Sequence, residues 1–316
     1  MILKRNYGGL AACGPLTTHL SPLLRHRRSG VTLTETLVAI FVCGLGLMAL
    51  MTLFPIGALN MAQALKDDRT AHAAANAASI LRSVWRVSLE NGQIDPVLEQ
   101  ALARPAGQPG QSCPVYLDPI GFWGYPSGGQ VGNPPCGIPR VSLQALDNPT
   151  PPITRSTAIK RWFTLLDDIN FAKTAKPIGE PVQVQRDAKY SWAYMVRRLR
   201  DNDPRALEFS VVVYSGRSVG TLDSGSGLLP AGEQTLSGVL QGPKQVTLSY
   251  AGARPGLKKG GWIMQAPEGY FYRVVQLTDV GPGALEVEVQ TQWRTRNSTF
   301  VVMDKVVEVF ERSTLE

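Results

Sequence analysis

RHRRSGVTLTETLVAIFVCGLGLMALMTLFPIGAL, residues 25–59, is the stretch that decides how this chain is built. Arg25, Arg27 and Arg28 precede Gly30, one carboxylate follows at Glu35, and from 37 to 59 no side chain carries a charge. Crossing a hydrocarbon core takes roughly 20 helical residues, whereas the apolar core of a signal peptide has only about 7 to 15. The run therefore reads as a membrane anchor over 31–55, in contact with the lipid bilayer. Glu35 stands at its mouth, where a charge at depth costs on the order of 3 kcal/mol. Either a partner compensates that charge, or the side chain snorkels back to the interface.

Upstream, residues 1–30 hold Lys4, Arg5, Arg25, Arg27 and Arg28 and no acid, so of the formal net charge of +7 they supply +5 and the rest of the chain +2. A basic flank ahead of the first apolar segment marks the cytoplasmic side, which places the large C-terminal part outside. With its positive charge gathered in that flank, the chain gives no support for a nucleic-acid partner.

A basic leader ending in Gly30, the carboxylate of Glu35 and the apolar run, in register over about residues 25–60, resemble the N-terminal segment of the type IV pilin and type II secretion pseudopilin superfamily. The resemblance implies a cut between Gly30 and Val31 by prepilin peptidase and methylation of the new Val31 amine. It implies a single pass through a bacterial inner membrane, with the leader cytoplasmic and the C-terminal domain periplasmic or extracellular. Its implied partners are an inner-membrane assembly platform and other pilin or pseudopilin subunits, met through the N-terminal helix. The function expected on this basis is that of a structural subunit, a minor pilin or pseudopilin, in a type IV pilus or a type II secretion pseudopilus. Val31 departs from the phenylalanine usual at the first mature position, and Thr34 from a common aliphatic residue. Pro55 falls a few residues later than the helix-disturbing proline of many pilins, and a bend or local melting is expected there.

Such a cut gives Glu35 a physical role. The freed amine of Val31 stays protonated at neutral pH, and at about 4 Å with an effective dielectric near 20 a carboxylate attracts it by roughly 4 kcal/mol. Glu35 of one subunit meeting Val31 of its neighbour would offset burial and fix the axial register of a filament.

Beyond the anchor the periodicity stays helical. Leu59, Ala62, Leu65, Arg69, Ala73, Ala77, Ile80, Val84 and Val87 recur at three- and four-residue spacing, so one helix is expected over about 32–90. Its alanine content fits both close packing and plain helix propensity. Asn91-Gly92 supplies a stop, and Asp95-Pro96 starts a short second helix to about 103, closing an amphipathic segment over 56–103. From 104 to 156, eight Gly and eleven Pro predict a long loop holding Cys113 and Cys136, as a disulfide or as two free thiols.

The remainder, 157–316, reads as a β-rich globular domain. A short helix is expected over 158–167, and strands over 190–196, 207–214, 245–250, 270–280, 284–293 and 299–311. Gly281-Pro282-Gly283 divides a hairpin whose second arm alternates Leu285, Val287 and Val289 with Glu286, Glu288 and Gln290. The expected fold class is α+β, a long N-terminal helix packed on an antiparallel sheet, which the resemblance extends to the lollipop form of pilins.

Enzymatic chemistry is not expected. His19, His26 and His72 all lie in the leader or the helix, leaving no imidazole for base or metal work in the globular part. No cofactor or metal is expected; calcium, which related pseudopilins hold in a loop, finds no matching motif in Asp167-Asp168 or Asp201-Asn202-Asp203. Gly220 to Gly227 lacks the Lys-Ser/Thr ending of a phosphate loop. The alternative to an assembly subunit is an uncleaved single-pass protein that displays a β-rich binding domain.

Overall fold

Residue 33 opens a helix that does not end for 59 residues: α1, Leu33–Asn91. In the computed structural model of the chain the described residues are 30–91, 114–119, 121, 129–141, 162, 163, 165, 169–171, 184–186, 190–198, 207–217 and 232–315. They fall into two units, Met1–Met61 and Ala62–Glu316, and α1 runs from one into the other. Its bounds lie within a residue of the 32–90 expected from periodicity. The short second helix before 103 lies outside the described residues.

Twelve strands are described: β1 (Val115–Leu117), β2 (Ile169–Phe171), β3 (Val184–Arg186), β4 (Tyr190–Arg198), β5 (Leu207–Ser215), β6 (Glu233–Leu240), β7 (Gln245–Ser249), β8 (Trp262–Ala266), β9 (Tyr270–Gly281), β10 (Ala284–Val289), β11 (Thr299–Met303) and β12 (Val306–Leu315). Every pairing between them is antiparallel. One sheet has the order β1-β4-β5-β12, a second set closes into a six-stranded barrel, β10-β7-β6-β11-β8-β9, and β2 pairs with β3. The α+β class is thus observed, as is a helix packed on an antiparallel sheet.

Within the larger unit, the four-stranded sheet is covered on both faces. Ala73, Ala74, Ala77, Ala78, Leu81 and Trp85 of α1 share a core with Trp192, Tyr194 and Val196 of β4 and Phe209, Val211 and Val213 of β5. The intervening Ala193, Met195 and Val212 turn the other way, into a core with Met264 and Ala266 of β8 and Val301 and Met303 of β11. Burial on both faces is why β4 and β5 read as near-continuous apolar runs instead of alternating. The buried helix stripe is rotated from the expected one: Leu81 and Trp85 fill the space, while Val87 is exposed. Trp85 has the larger surface to remove from water, and it sets which side turns inward.

The barrel has its own core of Leu236, Val246, Leu248, Ile263, Val274, Leu285, Val287 and Phe300. Gly238 makes its narrow bore feasible. A Cβ there would stand 2.7 Å from the Phe300 ring and 2.8 Å from Val246, inside contact distance. The hairpin β9–β10 forms where expected, but its second arm stops at Val289 instead of running to 293; Leu285, Val287 and Val289 are buried, and Gly283 takes φ +79° in its turn.

Two expectations need correction. The last strand, read over 299–311 as one element, is two, because Asp304 and Lys305 turn the chain and Lys305 adopts φ 65°. Its halves join different sheets, β11 lying between β6 and β8 and β12 beside β5, so neither lies against the β9–β10 hairpin. The stretch 104–156 is also more than loop: it contains β1, and Val131, Ile138 and Val141 are buried. Of the helix expected over 158–167, Trp162 and Phe163 are helical and buried, Leu165 is described but not helical, and the rest lies outside the described residues.

Candidate functional site

The helix start is built by three residues. Thr32 is its cap: the Thr36 N–H donates to Thr32 O at 3.2 Å, the first helical bond, and the Glu35 N–H donates to Thr32 Oγ1 at 3.4 Å. Glu35 answers, its Oε2 accepting the Thr32 N–H at 3.0 Å and the Thr32 hydroxyl at 3.1 Å. This reciprocal arrangement is a capping box, for which a carboxylate three residues into the helix is the fitting side chain. The helix dipole adds to it, since a negative charge in the first turn meets the unpaired N–H groups. Both bonds end on Oε2, so Oε1 keeps its lone pairs for a donor from elsewhere.

The apolar side chains that follow are bare. Every described residue from Gly30 to Arg69 is exposed, Val31 at 75% and Phe54 at 80% among them, and burial on α1 begins at Thr70. By length and composition α1 is long and apolar enough to cross a membrane. Pro55 lies inside α1 and helical backbone continues on both sides of it. Its ring withholds one donor from the ladder, and local melting does not follow.

Of the two loop cysteines, Cys136 is a buried free thiol, whose pKa burial pushes up; Cys113 lies outside the described residues. Cys43 is exposed on α1. The acidic pairs at 167–168 and 201–203 and the glycine-rich 220–227 also lie outside the described residues. Among the described residues no cluster of three His, Cys, Asp or Glu side chains could hold a metal ion.

Sequence reading missed a second constellation altogether. Asp118, Arg140 and Glu233 are buried, at 0, 5 and 6% exposure, with Arg217 beside them. Arg140 Nε donates to Asp118 Oδ2 at 3.2 Å and its Nη2 donates to Glu233 Oε1. Arg217 Nη2 donates to the same two acceptors, at 2.9 and 3.3 Å. The remaining oxygens take backbone donors, Gly121 N–H on Asp118 Oδ1 at 2.9 Å and Gly132 N–H on Glu233 Oε2 at 3.0 Å. Two cations thus balance two anions, and all four carboxylate oxygens are bonded, the condition under which buried charge is tolerable. Burial pulls the Arg140 pKa down, but Asp118 and Glu233 push it up and prevail. The quartet ties β1 and the 129–141 segment to the end of β5 and the start of β6, so its chemistry is structural.

A scan against protein-family models finds no match, and neither does a search of curated proteins.

Proposed function

We propose that this chain is a structural subunit of the pilin or pseudopilin kind, a minor one, inserted in a bacterial inner membrane, cut after Gly30 by prepilin peptidase and assembled through its N-terminal helix. What carries the reading is one juxtaposition: Gly30 and Glu35 stand in register at the start of a helix whose apolar side chains from Val31 to Leu65 are all exposed. Bare apolar surface on that scale requires lipid or the same segment of neighbouring subunits. The helix then serves twice, as an anchor before extraction and as a packing core afterwards. On this reading the free Oε1 of Glu35 accepts the Val31 amine of the adjoining subunit, Pro55 bends the helix, and the larger unit is carried outside, as in the lollipop form. The role is one of assembly rather than catalysis.

The capping box favours a second reading. Because Thr32 already satisfies one oxygen of Glu35, the carboxylate is accounted for without any neighbouring amine, as it would be in an uncleaved single-pass protein that displays its β-rich part outside. Intact-mass and N-terminal analysis of the membrane fraction separates the two. A chain beginning at methylated Val31 is expected, and one that retains Arg25, Arg27 and Arg28 overturns the assembly reading.

A further inference from the structure

On the β11 side of β6 the barrel leaves a strand edge open. β6 pairs with β7 through Leu240 but with β11 only as far as Ser237, after which the Gly238 N–H donates to Ser298 O at 2.7 Å. Along a strand, residues two apart aim their N–H and C=O groups to the same side. Gly238 faces β11, so Leu240 presents its donor and acceptor to that side too, where β11 has already ended. The Gln241 N–H, bonded to Gln245 O on the β7 side, fits the same alternation.

Over this edge the chain forms an arch, 293–298. The Trp293 N–H anchors its near end on Pro243 O at 2.9 Å, and the Ser298 carbonyl anchors the far end. Gln265 Nε2 holds its middle by donating to the carbonyls of Thr295 and Asn297, at 3.1 and 2.9 Å, and Tyr272 Oη accepts the Arg294 N–H at 2.9 Å. Trp293 is fixed against Tyr272 and Phe300, with ring centroids 4.5 and 5.2 Å away. Between arch and strand is an open cavity of about 620 Å³, whose walls include Leu240, Pro243, Trp293, Thr295 and Arg296.

One carboxylate, Glu268, reaches the arch that walls this cavity, but it is buried and engaged by Asn297 Nδ2 and Thr295 Oγ1. None of its lining residues is acidic. Arg254, Arg273 and Arg294 are engaged by Asp279, Glu308 and Glu311, whereas Arg296 and the neighbouring Lys244, both exposed, have no carboxylate partner among the described residues. Val239, 63% exposed, adds apolar surface beside them. A prearranged gap that offers one backbone donor, one backbone acceptor, an aromatic wall and a cation matches an extended peptide of negative charge, since main-chain bonds supply affinity and flanking side chains supply selectivity in strand addition.

We propose that this edge binds a short, extended, acidic peptide segment of a partner protein, which adds beside Leu240 with an apolar side chain on Trp293 and its carboxylate on Arg296. The inference is independent of whether the chain is cut after Gly30.

The test uses the full chain in detergent micelles and a fluorescein-labelled pentapeptide, acetyl-Thr-Val-Glu-Val-Thr-amide, followed by fluorescence anisotropy. The peptide is expected to bind at least about tenfold more tightly than its counterpart with lysine at the centre, and Arg296→Glu is expected to invert that preference. N-methylation of the central amides should abolish binding, because it removes the main-chain donors. Arg296 is exposed, so the variant should keep the circular dichroism of the parent. Failure to bind at millimolar peptide, indifference to the central charge or indifference to N-methylation overturns the proposal. Displacement of the peptide by an equal concentration of free glutamate or inorganic phosphate overturns it in favour of a small-anion site. Self-association that is lost in Arg296→Glu and competed by the peptide overturns it in favour of a second copy of this chain.

Discussion

Glu35 has two physical roles open to it, and they differ in what they demand of the side chain. The capping box needs an acceptor at the helix's third position, which glutamine provides as well as glutamate; the ion pair with a neighbouring amine needs the charge. Glu35→Gln should therefore keep the helix start and membrane insertion while reducing incorporation into a filament, read by shearing and blotting. Thr32→Ala should do the reverse, weakening the cap by about 1 kcal/mol and leaving assembly in place. Filaments unaltered by Glu35→Gln would leave capping as the only role. The motif showed this residue in the sequence, and its capping partner was written there too, as Thr32 and Glu35 at the spacing of a capping box. The buried quartet was not legible. Asp118 precedes a proline in a stretch read as loop, and nothing local says that Arg140, Arg217 and Glu233, up to 115 positions away, converge on it. Beneath that quartet lie phenols with a measurable consequence. Burial pushes the Tyr214 pKa up to about 12, against the opposing pull of Arg217, and Tyr116 is raised as well, again chiefly by burial. An unfolded phenol ionises near 10, so these groups contribute stability in full below about pH 10 and lose it as the pH rises toward 12. Absorbance at 295 nm should show their ionisation delayed and coincident with unfolding; a smooth titration centred near pH 10 in the folded protein would contradict that burial.

At the scale of elements, period decided what could be read. The β9–β10 hairpin was legible because one of its faces is wet, so Leu285, Val287 and Val289 alternate with glutamates. β6 was not, because Gln234, Thr235, Ser237 and Gly238 interrupt it and the glycine is required by a ring on another strand. β8 follows Gly260-Gly261 and contains buried Gln265, both of which argue against a strand when read locally. Barrel closure depends on pairings between distant segments, and no window along the chain contains it. The alanine row of α1 left packing and helix propensity undivided, and the structure divides them. Ala73, Ala74, Ala77 and Ala78 lie buried against the sheet, and Tyr194 donates its hydroxyl to Ala77 O at 3.0 Å, while Ala75 faces out. Ala77→Leu should lower stability by about 1–3 kcal/mol through overpacking, and Ala75→Leu should stay within about 0.5 kcal/mol of the parent. Urea unfolding of both variants checks this, and equal effects would mean that the row answers to propensity alone.

For the whole molecule, the contrast along α1 carries a prediction about which part needs a hydrophobic environment. Residues 31–65 expose Val31, Leu37, Phe41, Leu45, Phe54 and Leu59 among others, and they give no side chain to any core. From Thr70 onward the same helix supplies a full face to the sheet, and the three cores belong wholly to the unit Ala62–Glu316. Apolar area that is exposed in the folded chain contributes nothing to its stability and drives association in water. Residues 62–316 expressed alone should therefore remain soluble without detergent, and should unfold in urea as cooperatively as the full chain does in micelles. The full chain placed in water should aggregate. A start after Trp85 should fail differently, because it removes Ala73, Ala77, Leu81 and Trp85 from a core that also holds Trp192 and Tyr194, leaving an apolar sheet face uncovered. Sedimentation and near-ultraviolet circular dichroism distinguish these outcomes. If residues 62–316 prove insoluble or lack fixed aromatic packing, then the first half of α1 stabilises the globular unit.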